Sequence, residues 1–160
     1  TRLPEIGGGD TAFTNLYLAY ESFSDPIKRL LDGLTAIHDG RQAWTAGYGA
    51  EPDPGQTFPA SEHPVVARHP FSGCRFLFVN PAFTSHIVQL TRAESDALLQ
   101  LLYRHVEKHL AFQTRVHWTP DTLFFWDHWA TQHQAVWDYY PFEHGGERVS
   151  AFLGFPPRQA

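Results

Sequence analysis

The feature that most constrains this chain is a series of short strand-like segments separated by turn residues. These segments are rich in β-branched and aromatic residues and are bounded by Gly, Pro, Asn or Ser, which is typical of strands. Because they do not alternate regularly with helices, a doubly wound parallel sheet is disfavoured. We therefore predict a mainly β fold with flanking helices, either a β-sandwich or a jelly roll. The predicted strands cover 64–68, 75–80, 83–88, 112–118, 122–126 and 148–153, with a shorter extended piece at 131–136.

Three helices are predicted beside these strands. Thr91 and Glu94 have the spacing of a capping box, in which each side chain bonds the backbone of the other residue. They open the clearest helix of the chain, at about 92–109. Apolar residues at helical spacing predict a shorter helix over 13–22. A serine followed by a proline in the first turn predicts another over 24–32.

Residues 39–61 are rich in Gly, Pro, Asp and Ser and are predicted to form a long loop. A loop of this length beside a site is a candidate lid. The chain has 160 residues, of which 42% are hydrophobic and 18% are charged. This composition excludes a disordered chain and predicts a single domain spanning 1–160.

The charge of the chain argues against two classes of partner. Twelve basic residues stand against 17 acidic ones, a net charge of −5, which leaves no basic surplus to neutralise phosphates. Nucleic acid is therefore not expected as a partner. The apolar runs are far shorter than the ~20 residues that span a bilayer, so no membrane association is expected. The only cysteine is Cys74. It forms no intrachain disulfide, and we expect a reducing, cytoplasmic location.

The ten histidines are the main candidates for metal or acid–base chemistry. The chain has no CxxC or HExxH zinc motif and no GxSxG nucleophile elbow. Its only H-x-D/E sequence is His105-Val106-Glu107, which falls inside the predicted helix. Residues i and i+2 of a helix point about 200° apart, so these two side chains cannot bind one ion. The sequence alone therefore favours structural roles for individual histidines.

Several separated stretches together resemble one family, the iron(II)- and 2-oxoglutarate-dependent taurine/alkylsulfonate dioxygenases. Their order and spacing match the family from about residue 3 to residue 157. Each stretch is a weak signal by itself, and the ordered set is a specific one. The stretches are GGDT at 8–11, AYE at 19–21, GLTAIHD at 33–39, HPVV at 63–66, HP at 69–70, LFVN at 77–80, FTSHIV at 83–88, ESDALL at 94–99, FWD at 125–127 and TQH at 131–133.

The resemblance implies a double-stranded β-helix, or jelly roll, and a set of site residues. His133 resembles the distal histidine ligand of the iron and is the catalytic residue of this set. Thr11 resembles the residue whose hydroxyl contacts 2-oxoglutarate. Arg148 resembles one of two arginines that hold carboxylate or sulfonate groups, and His144 occupies the place of the other. Trp44 falls where the family places an aromatic ring over the substrate.

Two departures from the family pattern limit what is carried over. The family's H-x-D iron motif precedes the GGDT stretch by about two dozen residues, and only ten residues precede Thr11 here. Two of the three iron ligands are thus missing, so the jelly roll is expected to be incomplete. We expect a C-terminal portion of a longer protein, with a natural truncation as the alternative. His144 also replaces an arginine, so we expect Arg148 to be the main anion anchor, with His144 assisting when protonated.

Two hypotheses of function remain open from the sequence. The first is an enzyme that uses Fe(II), 2-oxoglutarate and O₂ to oxidise an aliphatic C–H bond of a small, anionic substrate. Succinate and CO₂ would be the co-products. The second is a truncated or metal-free jelly-roll module with a binding or structural role. The sequence leaves the substrate and a homo-oligomeric assembly open.

Overall fold

The computed structural model describes residues 2–5, 7–49, 51–151, 154 and 158–159, without the side chains of 46–48. These residues form strands and helices of modest length, and only one helix exceeds nine residues. The strands are β1 (Thr11–Asn15), β2 (Thr35–Asp39), β3 (Ala60–Pro64), β4 (Val66–Arg68), β5 (Arg75–Leu77), β6 (Thr84–Ile87), β7 (Gln113–Val116), β8 (Thr131–Ala135) and β9 (Arg158–Gln159). The helices are α1 (Leu16–Glu21), α2 (Asp25–Leu31), α3 (Gly40–Tyr48) and α4 (Arg92–Lys108), followed by a 3₁₀ turn (Leu110–Phe112).

The strands pair in three antiparallel sheets of three strands each. The orders are β7-β1-β8, β3-β2-β6 and β5-β4-β9. The central strand of the first sheet places Phe13 opposite Thr114 on one side and His133 on the other. The described residues thus confirm a sheet-rich fold with flanking helices, and the pairing within its sheets is antiparallel. No described helix is long and apolar enough to cross a membrane.

The hydrophobic core lies where α1 and α4 pack on the sheets. Large side chains that are fully or almost fully buried come from both the helices and the strands. Burial of such apolar area, at about 25 cal/mol per Å², is the main favourable contribution to folding. A polar contact also joins the layers, because the backbone N–H of Ile87 in β6 donates to Ser95 Oγ of α4 at 2.8 Å. The principal apolar core residues are Leu16, Tyr20, Leu31, Val65, Phe76, Leu77, Ile87, Leu99 and Leu102.

The capping box that the sequence predicts for α4 is confirmed. Thr91 Oγ1 accepts from the backbone N–H of Glu94 at 3.4 Å, and the Glu94 carboxylate accepts from the backbone N–H of Thr91 at 2.9 Å. A hydrogen bond of 2.7 Å from the Thr91 hydroxyl to the Glu94 carboxylate, together with the bond from the Thr91 backbone N–H, lowers the pKa of Glu94. The carboxylate therefore stays charged beside the positive end of the helix dipole. The helix therefore starts at a defined residue, Arg92, and runs to Lys108.

The helix predicted over 13–22 is wrong in its first turn. Residues up to Asn15 belong to β1, and the helix starts at Leu16 because Asn15 Oδ1 accepts the backbone N–H groups of Tyr17 and Leu18. Phe13 fits the helical spacing of the residues that follow it. It packs instead from a strand, whose two neighbours lie about a hundred residues further along the chain.

The loop predicted over 39–61 and two predicted strands also differ from the structure. Asp39 accepts the backbone N–H of Arg41 at 2.8 Å and caps α3, so much of the supposed loop is helical. Its last two residues belong to β3. Residues 122–126 form no strand, and the rings of Phe124 and Trp126 pack against Phe13 of β1. Residues 148–151 are not a strand either, and 152–153 lie outside the described residues.

Candidate active site

His133 lies in the middle of β8, among aromatic rings on one face of the first sheet. Its ring stacks on Phe13 of β1, which is its direct partner in the ladder, with ring centroids 5.8 Å apart. Trp126 and His128 approach the same imidazole, at 5.5 and 5.9 Å between centroids. Directly opposed residues of an antiparallel pair share a face, so the sheet itself orients His133 toward this aromatic cluster.

Thr11 shares the face of the sheet that carries His133. It lies two residues before Phe13 on the same strand, and side chains two apart point the same way. Thr11 Oγ1 accepts a hydrogen bond of 3.0 Å from the indole Nε1–H of Trp118. Since this bond uses a lone pair of the oxygen, the hydroxyl keeps its own proton for donation to a second group. A carboxylate ligand is a suitable acceptor for that proton.

The surroundings of His133 favour its neutral form. Partial burial among the rings lowers the pKa of His133, and the positive charges of His128 and Arg148 lower it further. The structure thus brings Arg148 within electrostatic range of this imidazole. A neutral imidazole is the form that binds a metal ion, because coordination needs a free ring nitrogen lone pair.

His144 packs against the glycine turn that precedes Thr11. A Cβ atom added to Gly9 would stand 2.8 Å from His144 Cδ2, so only glycine allows this approach. The His144 ring also contacts Tyr139, with centroids 5.3 Å apart. The structure therefore places His144 beside the turn that leads to Thr11.

Trp44 is not among the aromatic rings that contact His133 in the described part of the chain. It lies on α3, where its ring packs against Phe58 at 5.8 Å between centroids. The described residues that line the cavity beside His133 do not include Trp44. The substrate role of Trp44 therefore stays a prediction.

A cavity of about 860 Å³ lies between the first and second sheets and reaches His133. Its second-sheet wall contains His38 and His63, whose rings lie 5.1 Å apart. Burial lowers the pKa of His38 to about 4, helped by the nearby His63, and burial also lowers the pKa of His63. Both imidazoles are therefore neutral hydrogen-bonding groups near pH 7. Sequence reasoning missed this pair, although the stretches GLTAIHD and HPVV contain it.

Sequence reasoning also missed an ion-pair network around the GGDT turn. Asp10 accepts from Arg115 Nε at 2.5 Å and from His117 Nδ1 at 2.8 Å. Asp138 accepts from the backbone N–H of Gly9 at 2.8 Å and from a terminal nitrogen of Arg115 at 2.9 Å. Asp10 of the GGDT stretch was the only local sign of this network, because its partners Arg115 and His117 lie more than a hundred residues away in the chain.

The described residues fit an iron site only in part. They contain no group of three or more His, Cys, Asp or Glu side chains that could hold one metal ion. His105, from the only H-x-D/E sequence, lies on α4 as predicted, and its Nε2 lies 3.1 Å from the carbonyl oxygen of Ala19. His133 thus offers one imidazole donor, and this part of the chain does not complete a facial three-donor set.

Comparison with known proteins identifies the family. Residues 1–151 match the family model described as "Taurine catabolism dioxygenase TauD, TfdA family". The chain belongs to this family, which confirms the resemblance drawn from the sequence stretches.

Relatives and solved structures agree with this assignment. The Saccharomyces cerevisiae protein named alpha-ketoglutarate-dependent sulfonate dioxygenase is 35% identical over 133 residues, covering 83% of this chain and 32% of its own length. The Pseudomonas putida alpha-ketoglutarate-dependent sulfate ester dioxygenase is 34% identical over 142 residues, covering 82% of this chain and 46% of its own length. The crystal structure of a taurine dioxygenase from Burkholderia xenovorans aligns with a TM-score of 0.71 and 38% identity, covering 88% of this chain and 45% of that one. The chain spans between 32% and 48% of the length of the curated relatives it matches.

Proposed function

We propose that the protein containing this chain is an Fe(II)- and 2-oxoglutarate-dependent dioxygenase. It oxidises an aliphatic C–H bond of a small, anionic substrate and releases succinate and CO₂. Family membership supports this proposal, as do the names of relatives that act on sulfonates or sulfate esters. Bound iron supplies the activation of O₂, and the protein's part is to orient the substrate and exclude water. A sulfonate or a sulfate ester is the substrate class that we infer.

The single observation that carries the proposal is the arrangement around His133. The side chains of His133 and Thr11 share one face of the sheet β7-β1-β8, and the charge of Arg148 acts on the His133 imidazole. His133 would provide one iron ligand, and Thr11 would donate to a carboxylate of 2-oxoglutarate. Arg148 would bind an anionic group, because a guanidinium stays charged and offers two parallel N–H donors. His144 would assist Arg148 in binding this anionic group.

The proposal includes a jelly-roll fold, which the likeness to a taurine dioxygenase structure supports. The H-x-D ligands required by the family resemblance are not among the 160 residues. The site therefore needs donors beyond those described here. Cytoplasmic location, the lid role of 39–61 and a homo-oligomeric state remain predictions.

The test of the enzyme proposal is a substitution at His133 in a protein that carries the complete ligand set. His133→Ala should abolish iron-dependent succinate formation and leave the circular dichroism spectrum unchanged, because one of three metal donors is lost. His109→Ala, an exposed imidazole at the end of α4, is the matched control and should retain turnover. Unchanged succinate formation in His133→Ala would contradict the proposal.

The alternative function is a metal-free module with a binding or structural role. The absence of a three-donor group among the described residues is the observation that favours it. Titration of this chain with Fe(II) under anaerobic conditions should show no tight equimolar site, because one imidazole is a weak ligand set. A site of micromolar affinity or tighter would show that the remaining histidines include ligands that we have not identified.

A further inference from the structure

Arg115 of β7 binds two carboxylates, one just before the first strand of this sheet in the chain and one just after the last. Its Nε donates to Asp10, directly before β1, and a terminal nitrogen donates to Asp138, shortly after β8. Asp10 and Arg115 are 105 positions apart in the chain. One guanidinium therefore links all three strands of the sheet at the same end of the strands.

The glycine turn makes this link close. Gly9 donates its backbone N–H to Asp138 at 2.8 Å, and a Cβ added to Gly8 would stand 2.8 Å from Asp138 Oδ1. The turn can approach the segment after β8 only because both residues lack side chains and adopt positive φ angles of 92° and 70°. Asp138 thus holds the backbone that leads directly into Thr11.

Residues at the same end of the strands also hold the Thr11 side chain in place. Trp118, just beyond β7, donates its indole N–H to Thr11 Oγ1, and His117 contacts Asp10. Arg115, His117 and Trp118 thus make three contacts that connect the end of β7 with the start of β1.

The electrostatics indicate an ionised Asp10. Asp10 is only 8% exposed, and this burial raises its pKa. Hydrogen bonds from His117 and Arg115 outweigh burial, so the pKa of the Asp10 carboxyl is lowered overall. The Arg115 side chain is half-exposed, and ion pairs in contact with solvent stabilise a fold only weakly. The network therefore contributes more to the precise placement of the residues around Thr11 than to the stability of the fold.

We propose that Arg115 and Asp138 are positioning residues for the dicarboxylate co-substrate. They hold the Thr11 hydroxyl at a fixed distance from the segment that carries His144 and leads to Arg148. This inference rests on the proposed function, since it takes 2-oxoglutarate as the ligand of Thr11. It adds two residues that act through Thr11 and do not themselves touch the ligand.

The experiment uses the protein that carries the complete ligand set, labelled with ¹⁵N, and two readouts by NMR. The first is the hydrogen-exchange rate of the Trp118 indole N–H, which reports its bond to Thr11. The second is the Kd of 2-oxoglutarate, titrated into the millimolar range. Arg115→Gln should speed indole exchange and raise the Kd on the order of tenfold, the scale on which supporting partners act at ligand sites. Arg115→Lys, which keeps the charge, should recover part of both effects.

Two further variants make the result specific. Asp138→Asn keeps an acceptor for Gly9 but loses the charge pair, so it should shift both readouts in the same direction even if Arg115→Gln fails to fold. Arg92→Gln breaks the exposed Arg92–Asp96 pair on α4 and should change neither readout. Wild-type indole exchange and Kd in the Arg115 and Asp138 variants, with only a lower Tm, would overturn the positioning role. If the unaltered protein binds no 2-oxoglutarate, the proposed function loses support, while faster indole exchange in the variants would still establish the positioning of Thr11.

Discussion

His38 should make the stability of this protein fall sharply on mild acidification. Its ring stacks on Phe78 at 5.3 Å between centroids, and its Nε2 lies 3.2 Å from Thr84 Oγ1. Burial and the neighbouring His63 lower its pKa from 6.5 to about 4, against a smaller opposing effect of a backbone hydrogen bond with Phe78. The folded state therefore resists protonation of this imidazole.

The sign and size of the effect follow from proton linkage. Between pH 6.5 and about 4, the unfolded chain binds a proton at His38 that the folded chain does not, so acid favours unfolding. Each pH unit in this window changes the free energy of unfolding by about 1.4 kcal/mol for one such group. The contribution of His38 is fully present above pH 6.5. About 2 kcal/mol of it should be lost by pH 5 and about 3 kcal/mol near pH 4.

Urea unfolding at pH 7.5 and pH 5.0 measures this loss. The unaltered chain and the control His109→Gln should lose stability in parallel between the two pH values. His38→Gln should lose about 2 kcal/mol less, because its side chain does not titrate. The His38 Hε1 resonance should also titrate with a midpoint near pH 4. The reasoning is refuted if that midpoint lies near 6.5, or if His38→Gln shows the pH dependence of the unaltered chain.

Two more substitutions test the local structure by urea unfolding. Gly9→Ala should destabilise the fold by more than Gly7→Ala: both pay about 1–2 kcal/mol for a positive φ, but only the Gly9 variant meets His144. Equal losses would show that the His144 contact gives way freely. Ser95→Ala should cost about 1–3 kcal/mol, because it leaves the buried N–H of Ile87 without its acceptor. Unchanged stability there would mean that this N–H finds another partner.

Sequence reasoning succeeded where a structure is specified by neighbouring residues. The capping box of Thr91 and Glu94 defines the start of α4 through side chains three positions apart, so the pattern was sufficient. The extended piece predicted at 131–136 corresponds to β8, the strand that carries His133. The family was recognised because many short stretches keep their order, which is a property of the whole sequence.

Sequence reasoning failed where distant residues decide the structure. Phe13 has helical spacing to the residues after it, but strands β7 and β8 hold it in a sheet. The side chain of Asp39 caps a helix within a segment whose composition indicated a loop. The contacts of Arg115 with Asp10 and Asp138 depend on tertiary pairing, and no local pattern predicts them.

The pairing of β1 has a consequence for how the protein folds. Among the described strands, β1 pairs with two that follow it by about a hundred residues or more, whereas β4 and β5 form a local hairpin. Closing such long loops costs chain entropy before any contact is gained, and non-local topologies fold slowly. We expect amides of β4 and β5 to gain hydrogen-exchange protection first during refolding. The sheet that carries Thr11 and His133 should be among the last regions to gain it.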